Sequence, residues 1–367
     1  MMNRKLILLF LLFGLLALPG CLFTINAPLA TPDGTVALFL GEDGSYSLFP
    51  EAGVLHLLRE EVWTRVPTAT IGESGGLLDA SPDGAEALYL EVESTDVFSP
   101  FTSTLHRVAL QTESQPVAIW ETTNVIARAT WTAEDRILLL LFGEDDLATL
   151  HALNLETGTI EPLAKGLLSY AYLEEAGEIL LLEAETDEGI PMGVIVRWDP
   201  KTNSRTRRAS FVLSEGTMEA FTALPHRFFW AVAPDGAWLA LSLYDGTVLA
   251  PAMEADIPGL YLVDLAAGET IRVSAQALMP AFSPDGQGLL FVESVDNDRG
   301  DLMYRSLTSD KSIPVPGGQG VSAAFWLSPT RIAMVFETDG EPHRLVELDL
   351  ETEESRVLVD RPSSHDD

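Results

Sequence analysis

The sequence contains little cysteine and few basic residues, and both shortages limit what the protein can be. One cysteine occurs among 367 residues, so neither an internal disulfide nor a cysteine-based zinc site can form within the chain. The chain has 22 Lys and Arg residues against 55 Asp and Glu residues, which gives a net charge of −33. This negative charge repels the phosphate backbone, and no basic patch offsets it. We therefore expect no nucleic-acid partner.

The N-terminal apolar run is too short to cross a membrane. Residues 6–18 are apolar apart from one glycine, and these 13 residues follow Arg4 and Lys5. A membrane-spanning helix needs about 20 apolar residues. A basic start followed by a shorter apolar stretch is typical of a secretory signal peptide, so we predict export from the cytoplasm.

The only cysteine stands where this apolar run ends. Leu18-Pro19-Gly20-Cys21 resembles the bacterial lipobox, with an aliphatic residue three positions before the acylated cysteine and a small residue directly before it. The resemblance implies that residues 1–20 are a lipoprotein signal peptide and that acyl chains on Cys21 bind membrane lipid. Leu22, rather than Asp, favours the outer membrane in a bacterium with two membranes. The alternative is an ordinary signal peptide with an unrelated cysteine.

A short turn motif recurs along the rest of the chain. Four copies contain Pro-Asp-Gly, with the proline at positions 32, 82, 234 and 284, and degenerate copies are centred on positions 133, 175 and 329. Proline presets the backbone of the turn, Asp tolerates its third position, and Gly supplies the positive φ that closes it. Each copy therefore predicts a hairpin between two strands.

Two further strand-like segments follow each copy of the motif. Segments such as 105–110, 150–155 and 260–265 end in short polar turns, and no convincing amphipathic helix of three turns is present. Four short strands in each repeat of about 50 residues are typical of a propeller blade. We predict an all-β fold, in which residues 21–367 form one β-propeller of seven four-stranded blades.

The two clearest repeats carry a family resemblance. Residues 282–291 with 302–307, and residues 233–242 with 260–268, follow the order aromatic-x-Ser-Pro-Asp-Gly, strand, then apolar residues with Asp-Leu-x-x-Gly, in part with substitutions. This pattern resembles the WD40-like propeller repeats of the TolB type. Similar repeats form the propeller domains of the dipeptidyl-peptidase IV and prolyl-oligopeptidase families. The resemblance implies a fold but no particular function, because the motif is a turn and not a site.

No catalytic or metal-binding motif has the context that its chemistry needs. Residues 72–76 match the G-x-S-x-G pattern of serine hydrolases, but that motif requires a strand, a turn and a helix, and here a strand is predicted to follow. His106, His151 and His343 recur at similar positions of predicted third strands, so we interpret them as structural. Residues 296–301 lack the glycine and oxygen-ligand positions of a calcium loop. We predict no metal, no cofactor and no catalytic residue.

Variation in length points to a binding face. Insertions fall between predicted second and third strands at 91–103, 183–192, 243–259 and 293–300, and between repeats at 59–76 and 208–227. In a four-stranded meander both kinds of connection emerge on one face, and variable loops on a rigid scaffold commonly carry recognition.

The residues of this face are acidic with apolar points, which suits a cationic or amphipathic partner. The alternative is a solvated acidic face that only keeps the protein soluble. The candidate binding residues are Phe98, Phe101, Glu183, Glu185, Asp187, Glu188, Ile190, Met253, Asp256, Asp296 and Asp298.

Three functions fit the sequence. The first is a non-catalytic, lipid-anchored propeller that binds a protein or ligand in the cell envelope. The second is an enzyme with a central-pocket site, such as a lyase, lactonase or glycosidase, although the predicted innermost strands at 281–282 and 323–325 are apolar or small. The third, suggested by the family resemblance, is a propeller that works with a separately encoded peptidase.

Overall fold

The computed structural model describes residues 27–41, 43–47, 53–71, 75–93, 102–132, 135–142, 147–188, 190–212, 229–243, 259–294, 300–309, 311–338 and 341–360. Within these ranges the chain forms β-strands and no helix, so the all-β prediction is confirmed. A search of the same residues for a helix with the length and hydrophobicity of a membrane span finds none. Cys21 and the predicted signal peptide lie outside the described residues.

Each strand pairs antiparallel with its neighbour in the sequence, and the described strands form five sheets of four strands and one of seven. We call the seven successive four-strand groups units 1 to 7. Unit 1 comprises β1 (Leu29–Ala30), β2 (Val36–Leu40), β3 (Gly53–Arg59) and β4 (Val62–Ile71). Unit 2 comprises β5 (Gly76–Ala80), β6 (Glu86–Glu93), β7 (Thr102–Ala109) and β8 (Val117–Thr122).

The seven-stranded sheet contains units 3 and 4. Its strands are β9 (Val125–Trp131), β10 (Arg136–Phe142), β11 (Ala148–Asn154), β12 (Ile160–Leu173), β13 (Glu178–Asp187), β14 (Ile190–Asp199) and β15 (Ser204–Val212). Unit 5 comprises β16 (Trp230–Val232), β17 (Trp238–Leu243), β18 (Gly259–Asp264) and β19 (Thr270–Ser274). Unit 6 comprises β20 (Ala277–Phe282), β21 (Gly288–Ser294), β22 (Gly300–Ser306) and β23 (Ser312–Val321). Unit 7 comprises β24 (Ala323–Trp326), β25 (Arg331–Thr338), β26 (Glu341–Asp349) and β27 (Ser355–Val359).

Strand β12 belongs to two units at once. Its first part, up to Lys165, pairs with β11, its last part from Ser169 pairs with β13, and Leu167 pairs with both neighbours. The prediction of seven separate four-stranded sheets is therefore wrong between units 3 and 4. Gly166 has a φ of +74°, a conformation that glycine adopts without strain, so the chain bends here without a loop. The number of blades stays a prediction.

The recurrent turn has the predicted position and geometry. All seven copies lie between the first and second strands of a unit. In the four complete copies the glycine N–H donates to the carbonyl three residues earlier, at 2.8–2.9 Å. Their glycines, which have φ values from +67° to +83°, are Gly34, Gly84, Gly236 and Gly286.

The aspartate of the motif accepts hydrogen bonds inside the turn. In the complete copies its Oδ1 accepts the N–H two residues later at 2.9–3.1 Å. In unit 2 the Ser81 hydroxyl also donates to Asp83, at 2.6 Å, and this bond is the largest cause that lowers the pKa of Asp83. The same hydroxyl bond lowers the pKa of Asp33 and Asp285. The turn is therefore stabilised by the ionised carboxylate.

The motif glycine also contacts the preceding unit, a role that the sequence did not suggest. A Cβ added to Gly84 would lie 2.7 Å from Cδ of Pro32, in the turn of unit 1. One added to Gly236 would lie 2.6 Å from Cδ1 of Leu173 in unit 4. At both positions the absence of a side chain allows one turn to pack against the next.

A second kind of turn joins the third and fourth strands. In four units an Asp or Asn ends the third strand, and its Oδ1 accepts the N–H groups two and three residues later at 2.8–3.4 Å. This bonding explains the aspartate in the repeat pattern. The four residues are Asn154, Asp199, Asp264 and Asp349.

The core lies between the units. The described residues form seven apolar clusters, and each cluster joins the sheets of two successive units. On β6, for example, Leu88 and Leu90 pack toward unit 3, whereas Tyr89 packs toward unit 1. Because successive side chains of a strand point to opposite faces, each sheet buries both faces against its neighbours.

The last unit packs against the first. Their shared cluster contains Leu38 of unit 1 and Val335 of unit 7, both fully buried, together with Ala27 and Tyr46. The Trp63 indole N–H donates to the Leu358 carbonyl at 3.1 Å. No described strand pairs with both units, so side-chain packing, and not strand exchange, closes the circle.

Two glycine substitutions test the packing of the turns. Gly158 has a φ of +67° with open space around its Cβ position, so Gly158→Ala should cost only the backbone strain of about 1 kcal/mol. Gly84→Ala should cost about 1–3 kcal/mol more, because Pro32 must move. Urea unfolding of residues 22–367 measures both losses, and equal losses would contradict the proposed contact.

Candidate functional site

The antiparallel order of the strands separates two kinds of connection. The first-to-second and third-to-fourth turns lie on one edge, which we call the motif edge, and have two to seven residues. The second-to-third and fourth-to-first connections lie on the other edge, which we call the connection edge. Apart from the continuous β12, they have one to 17 residues. The predicted concentration of length variation on one side is therefore confirmed.

Two segments that we predicted as insertions are largely strands. Residues 183–192 belong to the hairpin of β13 and β14, in which Glu183 pairs with Val194 and Asp187 with Ile190. Most of 59–76 is the fourth strand β4. Acidic residues and Pro191 resembled loop sequence, but Glu183 and Glu185 alternate with Ala184, the two-residue period of a strand.

Arginines of the outer strand neutralise the base of this hairpin. Arg205 on β15 forms an ion pair with Glu183, whose side chain is only 15% exposed. Arg207 Nη1 lies 3.6 Å from Glu185 Oε2, and both of these side chains are about half exposed. The Arg205 guanidinium also lies over the Trp198 ring, 5.8 Å from its centroid. Glu183 and Glu185 are therefore parts of the sheet surface and not free acidic groups.

The tip of the hairpin carries the uncompensated charge. Asp187 and Glu188 are exposed and form no ion pair with a described residue. Ile190 completes the hairpin by pairing with Asp187. These residues and the paired Glu183 and Glu185 are the candidate binding residues that the structure brings together. The others, Phe98, Phe101, Met253, Asp256, Asp296 and Asp298, lie outside the described residues.

Acidity by itself does not distinguish the two edges. The segments between second and third strands contain 14 acidic residues and one basic residue, and the turns of the motif edge contain 17 and two. The outer strands show the opposite balance, with seven basic and two acidic residues. Loop length and the free hairpin tip therefore mark the connection edge, whereas charge does not.

Charged side chains on the inner strands bind neighbouring backbone. Asp79 Oδ2 accepts the Trp131 N–H of the next unit at 2.7 Å, and Arg128 Nη1 donates to the Tyr170 carbonyl at 2.8 Å. Asp79 and Arg128 are the charged residues of the inner strands within the described ranges. Sequence analysis missed both, although a charge inside an otherwise apolar strand was the available signal. They connect the inner edges of successive units.

The histidines lie at third-strand positions, as predicted. His106 Nε2 lies 2.9 Å from Glu91 Oε2, and its ring stacks on Tyr89 with 4.7 Å between centroids. Partial burial lowers the pKa of His151, and the charge of nearby Lys165 lowers it further. The described ranges contain no group of three or more His, Cys, Asp or Glu side chains suited to a metal ion.

The serine-hydrolase pattern at 72–76 has the context expected of a loop between units. Strand β5 begins at Gly76, so a strand and not a helix follows the motif. Ser74 lies outside the described residues, as do His343's side chain and most of the segment that resembles a calcium loop.

Comparison with solved structures identifies the fold. No protein-family model and no curated protein sequence matches the chain. The β-propeller domain of the Trilobed protease from Pyrococcus furiosus matches with a TM-score of 0.60 and 13% identity, over 94% of this chain and 98% of that one. An oligogalacturonate lyase in complex with manganese matches with a TM-score of 0.52 and 16% identity, over 75% and 74%.

These similarities show that the chain folds as a β-propeller. TolB from Acinetobacter baumannii is also similar, but its TM-score of 0.48, at 13% identity over 85% of this chain and 76% of that one, is too low to carry a conclusion. At such identities the likeness extends to the fold alone, and the TolB-type repeat stays a resemblance.

Charge reversal at the hairpin tests which acidic residues the sheet needs. Glu183→Lys places a second cation beside Arg205 in a mostly buried position, and we expect the free energy of unfolding to fall by about 1–3 kcal/mol. The control Glu185→Lys disrupts a half-exposed pair and should cost less than about 1 kcal/mol. Urea denaturation compares them, and the reverse order would show that Arg205 does not depend on Glu183.

Proposed function

We propose that the protein is a non-catalytic β-propeller lipoprotein that binds a cationic protein partner at the cell envelope. The observation that carries this proposal is the β13–β14 hairpin. Its base is fixed by paired strands and by two arginine–glutamate pairs, and its tip presents free carboxylates at Asp187 and Glu188. A rigid scaffold with a charged tip suits recognition, because little conformational entropy is lost on binding.

The use of charge on the inner strands supports binding rather than catalysis. A central-pocket enzyme needs acids, bases or metal ligands that converge on the pocket. The charged inner-strand residues in the described ranges, Asp79 and Arg128, bind backbone groups of adjacent units instead. The lyase among the similar structures keeps a central-pocket enzyme as the second candidate.

A propeller that assists a peptidase is the third candidate. The chain matches the propeller domain of a protease over nearly the whole length of both. We favour the envelope scaffold, because the lipobox-like segment before Cys21 supplies an address that the peptidase hypothesis does not require. We also infer that the seven units are seven blades, since each apolar cluster joins one unit to the next and the last returns to the first.

The first test concerns the membrane anchor. If Cys21 is acylated, Cys21→Ser should move the protein out of the membrane fraction or leave an uncleaved precursor, since one thiol carries the attachment. Fractionation and incorporation of a labelled fatty acid measure the change. Unchanged labelling of the variant would contradict the lipoprotein assignment.

The second test concerns the hairpin tip. The double variant Asp187→Lys, Glu188→Lys should lower capture of envelope proteins, and raising the salt concentration should reduce the wild-type signal, because screening acts beyond about 8 Å at physiological ionic strength. The fold should be retained, since exposed substitutions usually change stability by less than about 0.5 kcal/mol.

The matched control is Glu156→Lys on the motif edge, an exposed residue outside every described ion pair. Quantitative pull-down from solubilised envelopes compares the variants. If Glu156→Lys abolishes capture and the tip variant does not, the partner binds the motif edge.

A further inference from the structure

The chain enters the propeller at the connection edge. Each inner strand runs from the connection edge to the motif turn, so the residues that precede β1 arrive on the same side as the hairpin tip. Ala27 is the first described residue, and it is only 3% exposed within the cluster that joins units 1 and 7. The position of the chain is therefore fixed from Ala27 onward.

The connection between Cys21 and this fixed point is short. Six residue steps separate Cys21 from Ala27, and a fully extended chain of that length reaches roughly 20 Å. The eight residues of β6 cover about 27 Å at the usual rise of a strand. A chain that starts at the connection edge cannot therefore bring an acyl group on Cys21 around to the motif edge.

We propose that the anchor holds the connection edge toward the membrane, so that the partner of Asp187 and Glu188 is a protein embedded in the same membrane. This inference rests on the proposed acylation of Cys21. A soluble domain of 100 residues has a radius of gyration of about 13 Å and is wider than the gap. The acidic connections repel anionic lipid headgroups, so the matching chemistry is a basic segment of a membrane protein at the lipid surface.

The orientation can be measured on the full lipidated chain in vesicles. Asp187→Cys and Glu156→Cys place one reactive thiol on the connection edge and one on the motif edge, because an acylated Cys21 has no free thiol. Each variant is labelled with a fluorophore and reconstituted into vesicles that contain nickel-chelating lipid, a short-range quencher. We expect strong loss of fluorescence at position 187 and little at position 156.

A lengthened tether is the matched control. Insertion of about 20 Gly and Ser residues between positions 22 and 26 adds tens of ångströms of reach and should remove the difference between the two labels. Equal quenching with the native tether, or stronger quenching at position 156, would overturn the proposed orientation.

Flotation of the vesicles and the mass of the N-terminal peptide separate the two proposals. Protein that fails to float or carries no acyl group contradicts the lipid anchor itself. Protein that floats and is acylated but shows equal quenching contradicts only the orientation.

Discussion

The packing of each sheet against the next is the interaction on which the rest of the structure depends. A unit has no core of its own, because the alternating side chains of its strands are buried against two different neighbours. Stability therefore comes from the contacts between units, and a missing contact would expose two apolar faces at once. The contact between units 7 and 1 has the same composition as the others, although no described strand crosses it. Ala27 and Tyr46 enlarge that cluster from segments outside the paired strands, which compensates for the absence of strand exchange.

Local chemistry explains why so much of the fold could be predicted. The turn motif sets backbone angles by itself, so its seven copies gave the seven hairpins and the class of fold. Features that depend on two distant segments could not be predicted in this way. Gly84 was recognised as a source of positive φ, but its contact with Pro32 exists only because the turns of successive units meet. The hairpin at 183–192 was mistaken for a loop because its acidic residues are compensated by Arg205 and Arg207, about 20 residues later. The continuous β12 was missed because the bend at Gly166 needs no turn residues around it.

The distribution of charge follows from the same architecture. The outer strand of a sheet has unpaired backbone groups, and charged side chains there discourage pairing with another chain. Arginines on β15 serve this purpose and also neutralise glutamates of β13. Most of the chain's negative charge is thereby left to the turns and connections at the two edges. A chain with a net charge of −33 can in this way keep its sheets nearly neutral while both edges repel anionic surfaces.

The positions available for recognition are those that the fold does not use. Side chains between the sheets are occupied by packing, the charged residues of the described inner strands bind backbone, and the motif turns are constrained by their own hydrogen bonds. Only the connections between second and third strands and those between units can change in length without disturbing a contact between units. Any partner that distinguishes this propeller from others of the same fold therefore has to contact the connection edge. Since the chain also enters there, the anchor and the recognition surface are coupled by geometry. The length of the segment between Cys21 and Ala27 then sets how closely a partner must approach the membrane, which makes that segment a determinant of partner choice although it contacts no partner itself.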